Sequence, residues 1–137
     1  MNHLDEQIQA FLSCKSFAVS GASTNREKYG NKILRCYMQH NLEVHPINPR
    51  TETIENIRCY PKISALPNSE SIGLSIITPP KITEELVKEA QRFGIKHIWM
   101  QPGAESFEAV EYCRTHNINV IAGNACLLVV LGYHENE

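Results

Sequence analysis

No apolar run in the sequence approaches the ~20 residues that a bilayer-spanning helix needs, so no membrane helix is expected. The N-terminus, Met1-Asn2-His3-Leu4-Asp5-Glu6, has neither the cationic start nor the apolar core of a signal peptide, and a cytoplasmic protein is expected. Basic residues are not in excess: 13 Lys and Arg stand against 15 Asp and Glu, a formal charge of −2. Contact with nucleic acid through counterion release needs a positive surface, so nucleic acid is not an expected partner. Cysteine is scattered and odd in number (Cys14, Cys36, Cys59, Cys113, Cys126), with no Cys-x-x-Cys pair. That spacing argues against both a disulfide framework and a tetrahedral zinc site, and it leaves small buried hydrophobes as the expected role.

What is present is the composition of a soluble globular protein, with 42% hydrophobic and 20% charged residues in 137. One domain over residues 1–137 is expected, since no repeat, linker or low-complexity run divides the chain. Short β-branched or apolar runs at Ser16–Ser20, Leu42–Ile47, Ser71–Ile77, His97–Met100 and Asn119–Ala122 alternate with helical patterns near Leu4–Ser13, Asn31–His40, Pro80–Phe93 and Glu105–Thr115. Strands alternating with crossover helices read as an α/β fold, here a Rossmann-like three-layer sandwich around a mostly parallel five-stranded sheet. In the third helix, Ile82, Leu86, Val87 and Ala90 form an apolar stripe, Pro80 opens the first turn, and Gly94 suits a left-handed cap. Residues 48–68 are rich in turn formers and are expected to cross the sheet as a loop with a short helix.

Ligands of open parallel sheets bind beyond the carboxyl ends of the strands, so the residues that follow each strand are the informative ones. Here they are Gly21-Ala22-Ser23-Thr24-Asn25, Asn48-Pro49-Arg50, Thr78-Pro79-Pro80, Gln101-Pro102-Gly103 and Gly123-Asn124-Ala125-Cys126. Gly21 permits a tight turn close to an anion. The following small residues and the next helix's N-terminus supply N–H donors, with Ser23, Thr24 and Asn25 adding side-chain donors. An ordinary strand-to-helix turn is the alternative reading of one glycine. A dinucleotide site would show Gly-x-Gly-x-x-Gly and an acid at the end of the second strand, and this chain has Gly21-Ala22-Ser23 and Asn48-Pro49-Arg50 instead. Arg50 suits an additional phosphate better than bare ribose hydroxyls.

The ordered pieces Ala18-Val19-Ser20-Gly21-Ala22-Ser23, Val44-His45-Pro46-Ile47-Asn48-Pro49, Cys59-Tyr60-Pro61, Ile77-Thr78-Pro79-Pro80, Trp99-Met100-Gln101-Pro102-Gly103 and Asn124-Ala125-Cys126 resemble the stand-alone CoA-binding protein family. That family's fold is similar to the CoA-binding domain of the succinyl-CoA synthetase alpha subunit. The resemblance implies that coenzyme A, or an acyl-CoA, lies across the first loop. Its nucleotide end would sit near the second-strand end, and its pantetheine side toward Thr78-Pro79-Pro80 and Gln101. Gly21, Ala22, Ser23, Asn25, Asn48, Pro49 and Thr78 would line the site, with Lys28 and Arg50 as phosphate partners and Thr24 in the same loop. Two departures stand out: Asn56 where the family often has Gly, and Ala125 where many relatives carry Arg before the cysteine.

Other candidates have bland readings. Cys126, just past the last strand, could meet the thiol of CoA in a mixed disulfide or be a half-buried structural thiol. His45, inside a strand, reads as an edge or core histidine, and no segment supplies the phosphorylated histidine of related synthetases. Trp99 could touch an adenine, but its strand position makes it core. The Glu84–Glu89 charge run reads as a solvated helix face. Leu127-Leu128-Val129-Val130-Leu131 fits a buried closing segment or an association surface, so a protein partner or homodimer is open. The expected role is non-catalytic binding of a small nucleotide cofactor, as carrier, sensor or regulatory partner. An NAD(P)-linked oxidoreductase and a degenerate interaction module are the alternatives.

Overall fold

The protein is described by a computed structural model over residues 3–135, with Met1, Asn2, Asn136 and Glu137 lying outside the described residues. Five strands form one sheet: β1 (Ser16–Ser20), β2 (Val44–Ile47), β5 (Ile72–Ile76), β6 (His97–Met100) and β7 (Asn119–Ile121). Their order is β2-β1-β5-β6-β7 and every pairing is parallel. The order reverses after β1, whose neighbours on its two sides are β2 and β5, so a crevice opens at the carboxyl ends of these three strands.

Helices α1 (His3–Leu12) and α2 (Tyr29–Gln39) cover one face of the sheet, and α3 (Pro80–Arg92) and α4 (Phe107–Thr115) cover the other. Alternation along the strands divides the side chains between these layers. Phe17, Val19, Trp99 and Ile121 meet Phe11, Ile33, Leu34 and Tyr37, whereas Ala18, Leu74, Ile98, Met100 and Val120 meet Val87, Ala90 and Cys113. Trp99 is therefore core, with its Nε1–H donated to the Ala125 carbonyl at 3.0 Å. In β5 the small residues Gly73 and Ser75 lie under the aromatic layer: Phe11 and Phe17 crowd Gly73, and Ser75 Oγ lies 2.6 Å from Tyr37 Oη.

Helix ends follow local chemistry. Pro80 occupies the first turn of α3, and Gly94 follows the helix at φ +82°. Helix α4 begins at Phe107, two residues later than expected, because the Ser106 hydroxyl accepts the Ala109 N–H and caps it. The expected stripe on α3 divides in two. Val87 and Ala90 are buried with Thr83, whereas Ile82 is 51% exposed and Leu86 half-buried on the neighbouring face.

Residues 48–68 contain no α-helix. They form a hairpin, β3 (Thr53–Ile54) with β4 (Ile57–Arg58), followed by a short 3₁₀ turn at Ile63–Ala65, and a second such turn at Ser69–Ser71 leads into β5. Glu55 and Asn56 make the hairpin turn with φ +51° and +66°, the mirror-image geometry whose twist suits paired strands. Asn56 thus adopts a left-handed conformation, which Asn tolerates better than most residues that carry a side chain.

Both outer strands of the sheet have covered edges. Along β2, Tyr60 donates its N–H to the Pro46 carbonyl and accepts the Asn48 N–H, each at 2.9 Å. Along β7, Gln7 Nε2 of α1 donates to the Val120 carbonyl at 2.9 Å, and Asn119 Nδ2 donates back to the Gln7 carbonyl. The C-terminal segment buries Leu127 against α2, while Val129 is 81% exposed. No helix among the described residues is long and apolar enough to cross a membrane.

Candidate functional site

Strand β1 delivers the chain to Gly21 at φ +95°, where the backbone turns against the end of β5. A β-carbon there would lie 2.1 Å from the Ile77 carbonyl oxygen, and one on Gly30 would lie 2.0 Å from the Gly21 carbonyl oxygen. Two glycines therefore let the loop nest between β5 and the first turn of α2.

The loop is held by its carbonyls. Asn48 Nδ2 donates to the Ala22 carbonyl at 2.9 Å, Asn31 Nδ2 to the Ser23 carbonyl at 2.8 Å, and Arg35 Nη2 to the Arg26 carbonyl at 2.7 Å. Asn31 is wholly buried. It also donates to Glu55 Oε2 and accepts from Arg35 Nε at 2.6 Å, while Arg26 pairs with Glu55 Oε1 at 2.6 Å. The hairpin turn, the first loop and α2 are thus joined by one polar network.

The loop's donors are differently placed. Asn25 N–H bonds the Ser23 hydroxyl and Glu27 N–H bonds Asn25 Oδ1, but the N–H groups of Ala22, Ser23 and Thr24 have no partner among the described residues. Helix α2 follows with Lys28 at its N-cap, no side-chain cap and no acid in its first turn. Consecutive free N–H groups leading into a helix N-terminus make an anion nest.

Beside the loop lies a largely apolar cleft of about 540 Å³ between the β2 end and α3. Gly21, Asn48, Pro49, Arg50, Thr78 and Pro79 of the expected site line it, and Asn48 Oδ1 fixes the turn by accepting the Arg50 N–H at 2.8 Å. Ala22, Ser23, Thr24, Asn25 and Lys28 belong to the adjoining loop, and Pro80 to the start of α3. None of these six lines the cleft itself. Gln101 is apart from it as well: the side chain is wholly buried, and Oε1 accepts the Leu127 N–H at 2.9 Å and the Tyr29 hydroxyl at 3.3 Å. The amide ties the C-terminal segment to β6.

Several lining residues are not among the site residues expected from the sequence. Ile82, Leu86 and Glu89 recur at helical spacing on one face of α3, and Pro61, Lys62 and Ile63 close the opposite wall. The i, i+4, i+7 spacing was readable, but the split between core and cleft needed the position of α3. A second, more polar basin of about 880 Å³ shares Pro49, Arg50 and Pro61 with the cleft and extends along the hairpin to Arg58.

The remaining candidates fall outside the cleft. Cys126 is half-buried with its Sγ 2.8 Å from Tyr29 Oη, and burial together with that hydrogen bond pushes the Tyr29 phenol well above its usual range. His45 lies at the β2 edge, with Nε2 3.1 Å from Glu43 and its ring edge-on to Tyr60. Among the described residues no group of His, Cys, Asp and Glu could hold a metal ion.

Residues 15–132 match the family described as CoA binding domain. Among characterised relatives, the chain is 30% identical to acetate–CoA ligase [ADP-forming] II of Archaeoglobus fulgidus over 122 residues, 80% of this chain and 18% of the ligase. It is 29% identical to acetate–CoA ligase [ADP-forming] of Methanocaldococcus jannaschii over 141 residues, covering 96% of this chain and 20% of that one. The chain therefore spans about a fifth of those ligases' length. Among solved structures, a conserved hypothetical protein from Pyrococcus furiosus superposes with a TM-score of 0.78 at 34% identity, covering 84% of this chain and 98% of its own. A hypothetical protein from Pyrococcus horikoshii superposes with a TM-score of 0.84 at 26% identity, covering 93% and 89%.

Proposed function

The chain belongs to the CoA-binding domain family, and from that premise we propose that it binds coenzyme A, free or acylated, without catalysing a reaction of its own. One observation carries the reading: the first loop has its carbonyls held by Asn48, Asn31 and Arg35, while the N–H groups of Ala22, Ser23 and Thr24 have no partner among the described residues. Unbonded N–H dipoles in a loop held this way before a helix N-terminus suit a diphosphate, and they need little reordering when it arrives.

The cofactor's parts suit the surroundings. Ala22, Ser23, Thr24 and Asn25 would hold the diphosphate, with Lys28 at the start of α2 as a further cation. The apolar walls of the cleft, among them Ile47, Pro49, Ile77 and Pro79, match a flat base, with Asn48 and Arg50 at its rim. Thr78-Pro79-Pro80 gives the pantetheine arm a way out over the N-terminus of α3. Gln101 would act indirectly, holding Tyr29 and Leu127 behind the loop.

A binding role without chemistry agrees with the lining. It contains no histidine or cysteine, and Glu89 of α3 is its only carboxylate among the described residues. An oxidoreductase using NAD would need a ribose-binding acid after β2, where this chain has Asn48, Pro49 and Arg50.

Scanning fluorimetry with CoA, acetyl-CoA, NAD, NADP and ATP tests the reading. A ligand present at about 100 times its Kd stabilises the native state by about 2.7 kcal/mol, a rise of roughly 10 °C for a domain of this size. We expect that rise with CoA or acetyl-CoA. No shift with either at millimolar concentration, or a larger one with NAD or NADP, overturns the proposal.

A further inference from the structure

We infer that Glu55, an acid in the turn of the β3–β4 hairpin, is a positioning residue for the ligand's diphosphate: acting through Asn31, it aims the Thr24 N–H at the anion. The inference rests on the CoA reading above and adds to it a residue outside the cleft that serves the ligand indirectly.

A trans peptide is planar, so its C=O and N–H point in opposite directions and fixing one aims the other. The Ser23 carbonyl and the Thr24 N–H share one peptide. Asn31 Nδ2 donates to that carbonyl at 2.8 Å, so the direction of the Thr24 N–H, which has no partner among the described residues, is set from behind by the Asn31 amide. The preceding peptide joins the Ala22 carbonyl to the Ser23 N–H, and there Asn48 Nδ2 holds the carbonyl at 2.9 Å. Asn31 and Asn48 thus aim neighbouring donors independently of each other.

The Asn31 amide is itself held on three sides. Its Oδ1 accepts from Arg35 Nε at 2.6 Å, and the two protons of Nδ2 serve the Ser23 carbonyl and Glu55 Oε2, the latter at 3.1 Å. Glu55 Oε1 accepts from Arg26 Nη1 at 2.6 Å, and the Glu55 side chain is only 16% exposed. One carboxylate oxygen is therefore committed to each donor.

The backbone supplies an independent reason to assign this side chain a task. Glu55 has a φ of +51°, in the left-handed region, followed by Asn56 at +66°. Such a mirror-image turn favours Asn or Gly, and a glutamate with its β-carbon is sterically strained there. Strain at a position that a commoner turn residue would relax points to a function for the side chain.

Charge and positioning predict opposite signs for this residue. Glu55 is an acid one amide away from the loop, so by charge alone its neutralisation tightens an anion. As a positioning group, its neutralisation loosens one. Glutamine has the same shape, but its nitrogen turns protons toward either Arg26 or Asn31, and one of the two contacts is lost.

Isothermal titration of CoA and amide NMR test this on the wild type, Glu55→Gln and Glu55→Gly. Glu55→Gln is expected to weaken CoA about tenfold, the effect of losing a hydrogen bond to a charged group. Glu55→Gly relaxes the turn, so it should melt close to the wild type and yet bind CoA as weakly as Glu55→Gln. CoA should shift the Ser23 and Thr24 amide protons of the wild type. In both variants the Thr24 shift should shrink while Ser23, held by Asn48, keeps its own.

Unchanged or tighter binding of CoA by Glu55→Gln overturns the positioning role while the CoA reading stands. Equal loss of the Ser23 and Thr24 shifts, or a Glu55→Gly variant that melts far below the wild type, makes the residue merely structural and overturns the role as well. If the wild type binds no CoA, the CoA reading falls and takes the role with it.

Discussion

At Gly21 a backbone requirement and a packing requirement coincide, which is why one glycine was a usable signal in the sequence. Its φ of +95° is costly for any residue with a side chain, and the nearest obstacle to a β-carbon is the backbone of Ile77, which cannot rotate aside. Gly21→Ala should lower stability by about 2–4 kcal/mol, read from urea unfolding, and should abolish the thermal shift with CoA. An unchanged unfolding midpoint would contradict this account of the turn. Asn31 is the opposite case. In the sequence it is one polar residue near a helix start, and nothing local marks it. Its role arises from partners 8 and 24 positions away, the Ser23 carbonyl and Glu55. Residues whose function is a conformation were legible, and residues whose function is a long-range hydrogen bond were not.

Among the elements, the five main strands are legible as apolar or β-branched runs, as expected of strands covered on both faces, and the four helices by their helical spacing. The β3–β4 hairpin is not: two residues per strand cannot show alternation, and Glu55-Asn56 lacks the Asn-Gly signature of its turn. That omission conceals Glu55 and half of the polar network behind the first loop. Helix α3 illustrates a subtler limit. By spacing its apolar residues make one stripe, but Thr83, Val87 and Ala90 pack inward while Ile82, Leu86 and Glu89 border the cleft. The two surfaces should respond differently to substitution. Val87→Ala removes buried methyls and should cost about 2–3 kcal/mol of stability. Ile82→Ser, at a position 51% exposed, should leave the unfolding midpoint nearly unchanged while weakening CoA in a titration. If Ile82→Ser proved as destabilising as Val87→Ala, the division of the stripe would be wrong.

At the scale of the whole molecule, buried thiols link stability to alkaline pH. Burial pushes Cys36 from the ordinary 9.0 up to about 11, with the nearby Cys126 adding to the shift, and pushes Cys113 up to about 12. The fold favours the protonated thiol, so this contribution is complete below pH 9, where the unfolded chain also keeps its protons. Above pH 9 the unfolded thiols ionise first, and stability falls until the folded pKa values are passed. The urea midpoint should be flat with respect to these groups below pH 9 and decline from there to pH 12, with a shallower decline in Cys113→Ala. A midpoint that stays level to pH 11 would oppose this. The two covered edges of the sheet bear on self-association. Aggregation by strand recruitment needs a row of unclaimed backbone groups, and here Tyr60 occupies one edge and Gln7 guards the other. A second copy can extend the five-stranded sheet only after displacing one of them, so that sheet is guarded against templated growth at both ends.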